Sequence, residues 1–189
     1  MFVAHPELAS AAAGLGAGDH PDLSATVMAA AAAALGLVSR PQCKVLLVGL
    51  DNAGKTTIMN QVMPEEKRYR EIVPTTGLRL EQFSISTDGL NADFTVMDMS
   101  GASTHRDFWP AYYTTCDAVV FVVDSTDKAR IGAAKRELDE MLAHSDMKER
   151  RVPILVLANK IEIVGGLSPM QIQSILTLDG IKSKPWNCM

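Results

Sequence analysis

The chain has 189 residues, 47% of them hydrophobic and 21% charged, with a formal net charge of −4 at pH 7. That is enough apolar sequence for one substantial core, and the acidic balance argues against a protein that binds nucleic acid through phosphate electrostatics. No apolar run reaches the roughly 20 residues of a membrane-spanning helix. Cys43, Cys116 and Cys188 lack metal-ligand spacing, which reads as reduced thiols in a cytoplasmic protein.

Residues 1–40 are rich in Ala and Gly, with Arg40 as their one Arg or Lys. They read as a flexible extension carrying a helix over 23–37, because alanine favours helix and Asp22 or Ser24 would cap it. Leu23, Val27, Leu35 and Leu37 are its sizeable apolar members. No basic region precedes an apolar one, so a secretory signal is not expected. Phe2 leaves no glycine to myristoylate, and any membrane association is expected to be peripheral.

A single domain is expected over 41–189. Val45–Val48 is a short continuous apolar run, then comes Gly-rich sequence, then a helical stretch over Lys55–Met63. The rhythm recurs: AVVFVV (Ala118–Val123) and ILVLA (Ile154–Ala158) predict strands, while Lys128–Leu142 and Pro169–Leu176 predict helices. Continuous rather than alternating apolar runs predict strands buried on both faces. Arg79–Ser86 and Asp93–Met97 alternate, predicting a hairpin turned at Asp88-Gly89, with a connection over Thr87–Ala92 longer than usual. The pattern predicts an α/β fold, a doubly wound, mostly parallel sheet with one antiparallel edge strand. Its ligand edge is expected at the carboxyl ends of the strands.

Gly49-Leu50-Asp51-Asn52-Ala53-Gly54-Lys55-Thr56 fits G-x-x-x-x-G-K-[ST] between a strand and a helix. Glycines let the backbone curl so that its amides, from Leu50 to Thr56, face phosphate oxygens. The helix N-terminus adds partial positive charge. Lys55 supplies a point charge, and the Thr56 hydroxyl can ligate Mg²⁺. Downstream, Asp98-Met99-Ser100-Gly101 ends a strand in D-x-x-G. An Asp there can hold Mg²⁺ through water, and the glycine amide can approach a terminal phosphate. Between the two motifs, Thr75 of Pro74-Thr75-Thr76-Gly77 can reach the cation only when the last phosphate is present. Asn159-Lys160-Ile161-Glu162 follows the ILVLA strand. An Asn-Lys-x-acid tetrad there points to guanine, whose N–H edge a carboxylate accepts. Asn159 would tie this loop to the phosphate loop.

GLDNAGKTT, VPTTG, DMSG, FWPAYY and the Asn-Lys-x-acid tetrad, in this order, resemble the ADP-ribosylation-factor-like small GTPases from about Cys43 to Trp186. The resemblance implies a P-loop small-GTPase fold that binds GTP and GDP with Mg²⁺ and switches between the two forms. Gly49, Gly54, Lys55, Thr56 and Thr57 would hold phosphates, with Asp51, Asn52 and Ala53 completing the loop. Thr56 and Thr75 would hold Mg²⁺ with Asp98 behind them, Gly101 would touch the terminal phosphate, and Asn159, Lys160 and Glu162 would meet guanine. It also implies a hairpin over 79–97 that slides with the nucleotide, an exchange factor, and an effector coat, of the ciliary Bardet–Biedl type in one subgroup. Location would be cytoplasmic, peripheral at membranes near the cilium base.

Four departures shape the expectations. Ala102 stands where the family has the glutamine that orients water, so no catalytic residue is assigned and hydrolysis is expected to be very slow. His105 is read as a solvated loop residue rather than a substitute. Glu162 replaces aspartate one methylene further out, so weaker guanine affinity is expected. The family's last strand and closing helix are expected to be missing beyond Lys184-Pro185-Trp186-Asn187-Cys188-Met189, leaving an unfinished sheet edge and a bare helix-docking face. The N-terminus also lacks the family's Met-Gly start. A degenerate fold serving as a nucleotide-poor scaffold is the alternative reading. A P-loop kinase fits badly, because the arginines are scattered and supply no lid.

Overall fold

The computed structural model describes residues 42–87 and 90–189. The expected N-terminal extension, its helix and the Asp88-Gly89 turn lie outside the described residues.

Six strands form one sheet: β1 (Gln42–Val48), β2 (Leu78–Thr87), β3 (Leu90–Met99), β4 (Ala118–Asp124), β5 (Ile154–Asn159) and β6 (Trp186–Cys188). Their order is β2-β3-β1-β4-β5-β6. β2 is antiparallel to β3, and every other neighbouring pair is parallel. Helices α1 (Lys55–Val62), α2 (Ile131–Ala143), α3 (Ser145–Lys148) and α4 (Pro169–Ile175) fall among the connections. This is the doubly wound sheet with one antiparallel edge strand that the apolar runs predict.

The period of two along each strand divides the core between the two faces. Leu46, Val48, Val119, Phe121, Val123, Ile154 and Val156 face Leu138 and Met141 of α2 and Ile172 of α4. Cys43, Val45, Leu47, Val120, Val122, Leu155 and Leu157 face the other way, with Met59 of α1. Every residue of β4 is buried, which is why its sequence is an unbroken apolar run. α4 starts where a capping box dictates. The Ser168 side chain accepts from the Gln171 amide, the Gln171 side chain accepts from the Ser168 amide, and Pro169 sits at the first turn.

Three expectations need correction. The last strand is present. β6 pairs in parallel with β5, and its flanks add bonds from the Ile154 amide to the Pro185 carbonyl (3.0 Å) and from the Ala158 amide to the Met189 carbonyl (2.7 Å). Pro185 disguises it in the sequence, yet a proline just before an edge strand removes no ladder donor. The hairpin connection is also not long. Thr87 pairs with Leu90, so only two residues separate the strands. The helix-docking face, finally, is not bare. Val120, Val122, Leu155 and Leu157 are all buried, and leaving each in water would forfeit roughly 1.5–3 kcal/mol.

Candidate functional site

The carboxyl ends of β1, β3, β4 and β5 converge on one edge, as the doubly wound topology dictates. A cleft of about 470 Å³ opens there, lined by Asp51, Asn52, Gly54, Lys55, Thr56, Thr57, Thr75, Gly101 and Ala102 together with Ile72, Val73, Pro74 and Ser100.

Its floor is the loop between β1 and α1. Gly49 has φ +137° and lies so close to β4 that a Cβ would stand 2.2 Å from the Val122 carbonyl oxygen. Gly54 has φ +92°, and a Cβ there would meet Asn159 Nδ2 at 2.2 Å. Both positions need glycine on conformation and on space. Asn52 takes φ +63°, a region asparagine tolerates. The buried Lys55 donates from Nζ to the carbonyls of Gly49 (3.0 Å) and Leu50 (2.9 Å). Burial pushes its ammonium down to about 8, against the attraction of Asp98 and Asp51. The expected run of inward amides is only partly available. Asp51 donates to the Gly101 carbonyl (3.1 Å) and Ala53 to the Leu50 carbonyl (3.3 Å). Among the described residues, the amides of Asn52 and Gly54 carry no hydrogen bond. Those of Lys55, Thr56 and Thr57 open α1, where helix geometry leaves amides unpaired.

Three oxygen-bearing residues from distant parts of the chain meet beside this floor. Thr56 Oγ1 donates to Asp98 Oδ2 (2.6 Å), Thr75 Oγ1 stands 3.3 Å from the same oxygen, and the two hydroxyls are 2.9 Å apart. Asp98 is fully buried, and its Oδ1 has no hydrogen-bond partner among the described residues. Burial raises its carboxyl above the ordinary range, against the Thr56 hydroxyl and the Lys55 charge. An orphaned carboxylate oxygen beside two hydroxyls is a hard-oxygen donor set, and it fits Mg²⁺. The loop that carries Thr75 is pinned at both ends. Asn60 exchanges two hydrogen bonds with the Tyr69 backbone, and the Ser100 amide donates to the Gly77 carbonyl (2.8 Å).

Gly101 packs against the floor without clearance. A Cβ would stand 2.3 Å from the Asp51 nitrogen and 2.4 Å from the Gly49 oxygen. Ala102 follows on the cleft wall, with only a methyl group to offer. His105 is not the solvated residue expected. It is half-buried, with Nδ1 3.1 Å from Ser100 Oγ and its ring stacked on Phe108.

At the far end, Asn159 closes β5 and donates from Nδ2 to the Ala53 carbonyl (2.8 Å), the tie that the sequence reading anticipates. Lys160, at φ +63°, donates to the Asn52 carbonyl (2.8 Å) and to Asp124 Oδ2 (2.6 Å). Burial raises the Asp124 carboxyl, but the Lys160 ammonium and the Thr126 hydroxyl and amide outweigh it and leave the carboxyl below its usual value. Glu162 stands exposed on the turn after Lys160.

Sequence reasoning missed Arg106, Arg130 and Asp124. Arg130 grips Asp51 Oδ1 (2.9 Å), and Arg106 bridges the Gly101 carbonyl (2.7 Å), Glu137 (2.7 Å) and Asp51 (3.5 Å). Asp51 thus lines the cleft with its carboxylate already engaged by arginine. The signal available for Asp124 was its place at the carboxyl end of a buried strand. The arginines have no local signal.

The ADP-ribosylation factor family model matches residues 29–189. ADP-ribosylation factor-like protein 6 of Danio rerio is 45% identical over 153 residues, spanning 81% of this chain and 80% of the relative. Its counterpart in Caenorhabditis elegans is 37% identical over 150 residues, spanning 79% and 77%. Among solved structures, the Arl6 BBS3 small GTPase from Trypanosoma brucei with bound nucleotide analogue GppNp superposes with a TM-score of 0.70 at 38% identity, covering 78% of this chain and 84% of that one. The phosphate loop, the Asp98 cluster and the Asn159 tie thus sit in a P-loop small-GTPase fold, and the chain belongs to the ADP-ribosylation factor family.

Proposed function

We propose that this chain is a guanine-nucleotide switch whose GTP form recruits a membrane coat of the Bardet–Biedl type and whose return to the GDP form by hydrolysis is slow. The observation that carries the reading is the meeting of Thr56, Thr75 and Asp98 beside the phosphate loop. Thr56 rides on α1 and Asp98 on β3, whereas Thr75 belongs to a connecting loop. A ligand that draws in the Thr75 hydroxyl therefore sets the position of the whole loop, which is how a terminal phosphate becomes a change of shape. Thr56 and Thr75 would hold Mg²⁺ with Asp98, and the ion would supply positive charge to the phosphate oxygens. Lys55 and the amides of Asn52, Gly54, Lys55, Thr56 and Thr57 would hold the phosphate chain. Asn159, Lys160 and Glu162 would meet guanine.

The partner surface follows from the same loop. Ile72 and Val73 are exposed apolar residues lining the cleft, and Leu78 and Leu80 are exposed on β2, which follows the Thr75 loop in the chain, so an effector that contacts them would read the loop's position. Ala102 has no group with which to orient water, which supports slow turnover. The same reading takes a ciliary coat as effector, an exchange factor as activator, and a cytoplasmic location with peripheral residence at membranes near the cilium base, on the strength of the family resemblance of the motifs.

The test is direct. Purified protein is denatured and the released nucleotide identified. The refolded or exchanged protein is then titrated with GDP and a non-hydrolysable GTP analogue in Mg²⁺, beside Thr75→Ala. Stoichiometric guanine nucleotide is expected, with Thr75→Ala weakening the triphosphate analogue while sparing GDP. Protein that releases no nucleotide and binds none would replace this reading with the scaffold.

A further inference from the structure

Ser100, Gly101 and Ala102 follow β3 and line the cleft. Among the described residues, five of their six main-chain polar groups find partners. The Ser100 amide donates to the Gly77 carbonyl (2.8 Å), and the Ala102 amide donates to Ser100 Oγ (3.4 Å). The Ser100 carbonyl accepts from Trp109 Nε1 (3.0 Å). The Gly101 carbonyl accepts from Arg106 Nε (2.7 Å) and from the Asp51 amide (3.1 Å). The Ala102 carbonyl accepts from the His105 amide (2.8 Å). The Gly101 amide is the exception: it has no partner among the described residues, although Gly101 is buried. A buried main-chain donor left unpaired is costly, so a free one beside a cleft marks a place where a ligand's acceptor fits.

The direction of that amide is set from behind. A trans peptide is planar, with its C=O and N–H antiparallel, and the Ser100–Gly101 peptide is trans. Its carbonyl points at the indole of Trp109, which is 1% exposed and packed in the core. The N–H of the same plane therefore points the other way, out of the core and towards the cleft. Arg106 holds the next peptide plane by its carbonyl. Glycine has no side chain with which to fix either plane, so the hold comes from these neighbours. Arg106 and Trp109 lie three residues apart on one 3₁₀ helix, Arg106–Tyr112, and residues at that spacing share a face of such a helix. One turn thus presents two donors to two consecutive carbonyls. The turn is itself anchored, Trp109 by the core and Arg106 by Glu137 of α2 (2.7 Å).

We propose that Arg106 and Trp109 are positioning residues that aim the Gly101 amide at an oxygen of the last phosphate of a bound triphosphate. Neither side chain lines the cleft; both act through the Ser100–Gly101 and Gly101–Ala102 peptides. The inference rests on the nucleotide-switch reading above. It adds which residues let the site distinguish a triphosphate from a diphosphate, since the aimed amide gains an acceptor only when the last phosphate is there.

Trp109→Phe tests it, because the exchange keeps an aromatic ring and removes the indole donor. The full chain is titrated calorimetrically with GDP and with a non-hydrolysable GTP analogue in Mg²⁺. Affinity for the analogue should fall on the order of tenfold, with GDP affinity little changed. Trp186→Phe, on β6, is the control and should keep the parent's ratio of affinities. In Trp109→Phe, an equal loss for both nucleotides or a loss for neither would overturn the proposal. Arg106→Gln should move the ratio in the same direction, and it decides the matter should Trp109→Phe fail to fold. A second measurement reads the amide itself. In spectra of the chain carrying isotope-labelled glycine, the Gly101 amide proton should move downfield with the analogue and not with GDP, and that movement should shrink in Arg106→Gln. A Gly101 signal that ignores the bound analogue would equally overturn the proposal. A parent chain that binds neither nucleotide would bring down the switch reading and this inference together. A parent that binds both, with variants that keep its ratio, would bring down this inference alone.

Discussion

Gly101→Ala is the sharpest test of how the cleft is built. The added methyl would stand 2.3 Å from the Asp51 nitrogen, 2.3 Å from the Leu50 carbonyl carbon and 2.4 Å from the Gly49 oxygen, where ordinary contact begins at 3.4 Å. All three neighbours are main-chain atoms. The loop cannot retreat by the missing ångström, because Gly49 is already pressed against the Val122 carbonyl. The segment after β3 must move instead, which strains the Asp51 amide bond to Gly101 (3.1 Å) and the Arg106 Nε bond to the same carbonyl (2.7 Å). Overpacking of this kind costs about 1–3 kcal/mol, and loss of one hydrogen bond adds about 1 kcal/mol. A destabilisation of about 2–4 kcal/mol is expected in urea unfolding, with a larger loss of affinity for a GTP analogue than for GDP. Gly132→Ala is the control. It lies in α2 with nothing within 4 Å of its added methyl, so a gain of up to about 1 kcal/mol is expected from helix propensity. If Gly101→Ala unfolds within about 0.5 kcal/mol of the parent, the level of an ordinary surface change, and binds both nucleotides as before, the packing argument is wrong.

Three further outcomes follow. Lys55 has a folded-state value near 8 against 10.5 in the open chain, so the unfolded state binds more protons between these values. The nucleotide-free protein should therefore gain stability relative to Lys55→Met as pH rises from about 8 to 10.5, by roughly 1–3 kcal/mol. Parallel pH profiles of the two chains in urea titrations would exclude this. Ala102→Gln should raise single-turnover GTP hydrolysis on the order of tenfold or more, since a positioned group typically contributes 10²–10⁴-fold; equal rates would mean that this position does not limit the reaction. Glu162→Asp should tighten GDP and GTP together by about 1–3 kcal/mol in calorimetric titration, and unchanged affinities would show that the longer side chain reaches the base without penalty.

Much of the fold and the phosphate-loop half of the site were legible because their signals are local. A glycine spacing between an apolar run and a helix start specifies a curl whatever surrounds it, and buried parallel strands announce themselves as unbroken apolar runs. The rest depends on partners far away in sequence. Arg130 meets Asp51 from 79 positions away and Arg106 from 55, and no periodicity records such pairings. Asp124 lies just past the apolar run Ala118–Val123, and its role comes from Lys160, 36 positions on, which donates to it. β6 was hidden because three residues are too few to show a pattern, and its pairing is decided by the open edge of β5. His105 looked solvated because its anchor, Ser100, reads as an ordinary turn residue.

The bonds from Asn159 to Ala53 and from Lys160 to Asn52 make the turn after β5 and the phosphate loop a single jointed piece. A pull on the turn after Lys160, whose Ile161, Ile163 and Val164 project into solvent, is delivered to the glycine curl through two short links. Displacing that one external turn would therefore disturb the curl without anything entering the cleft.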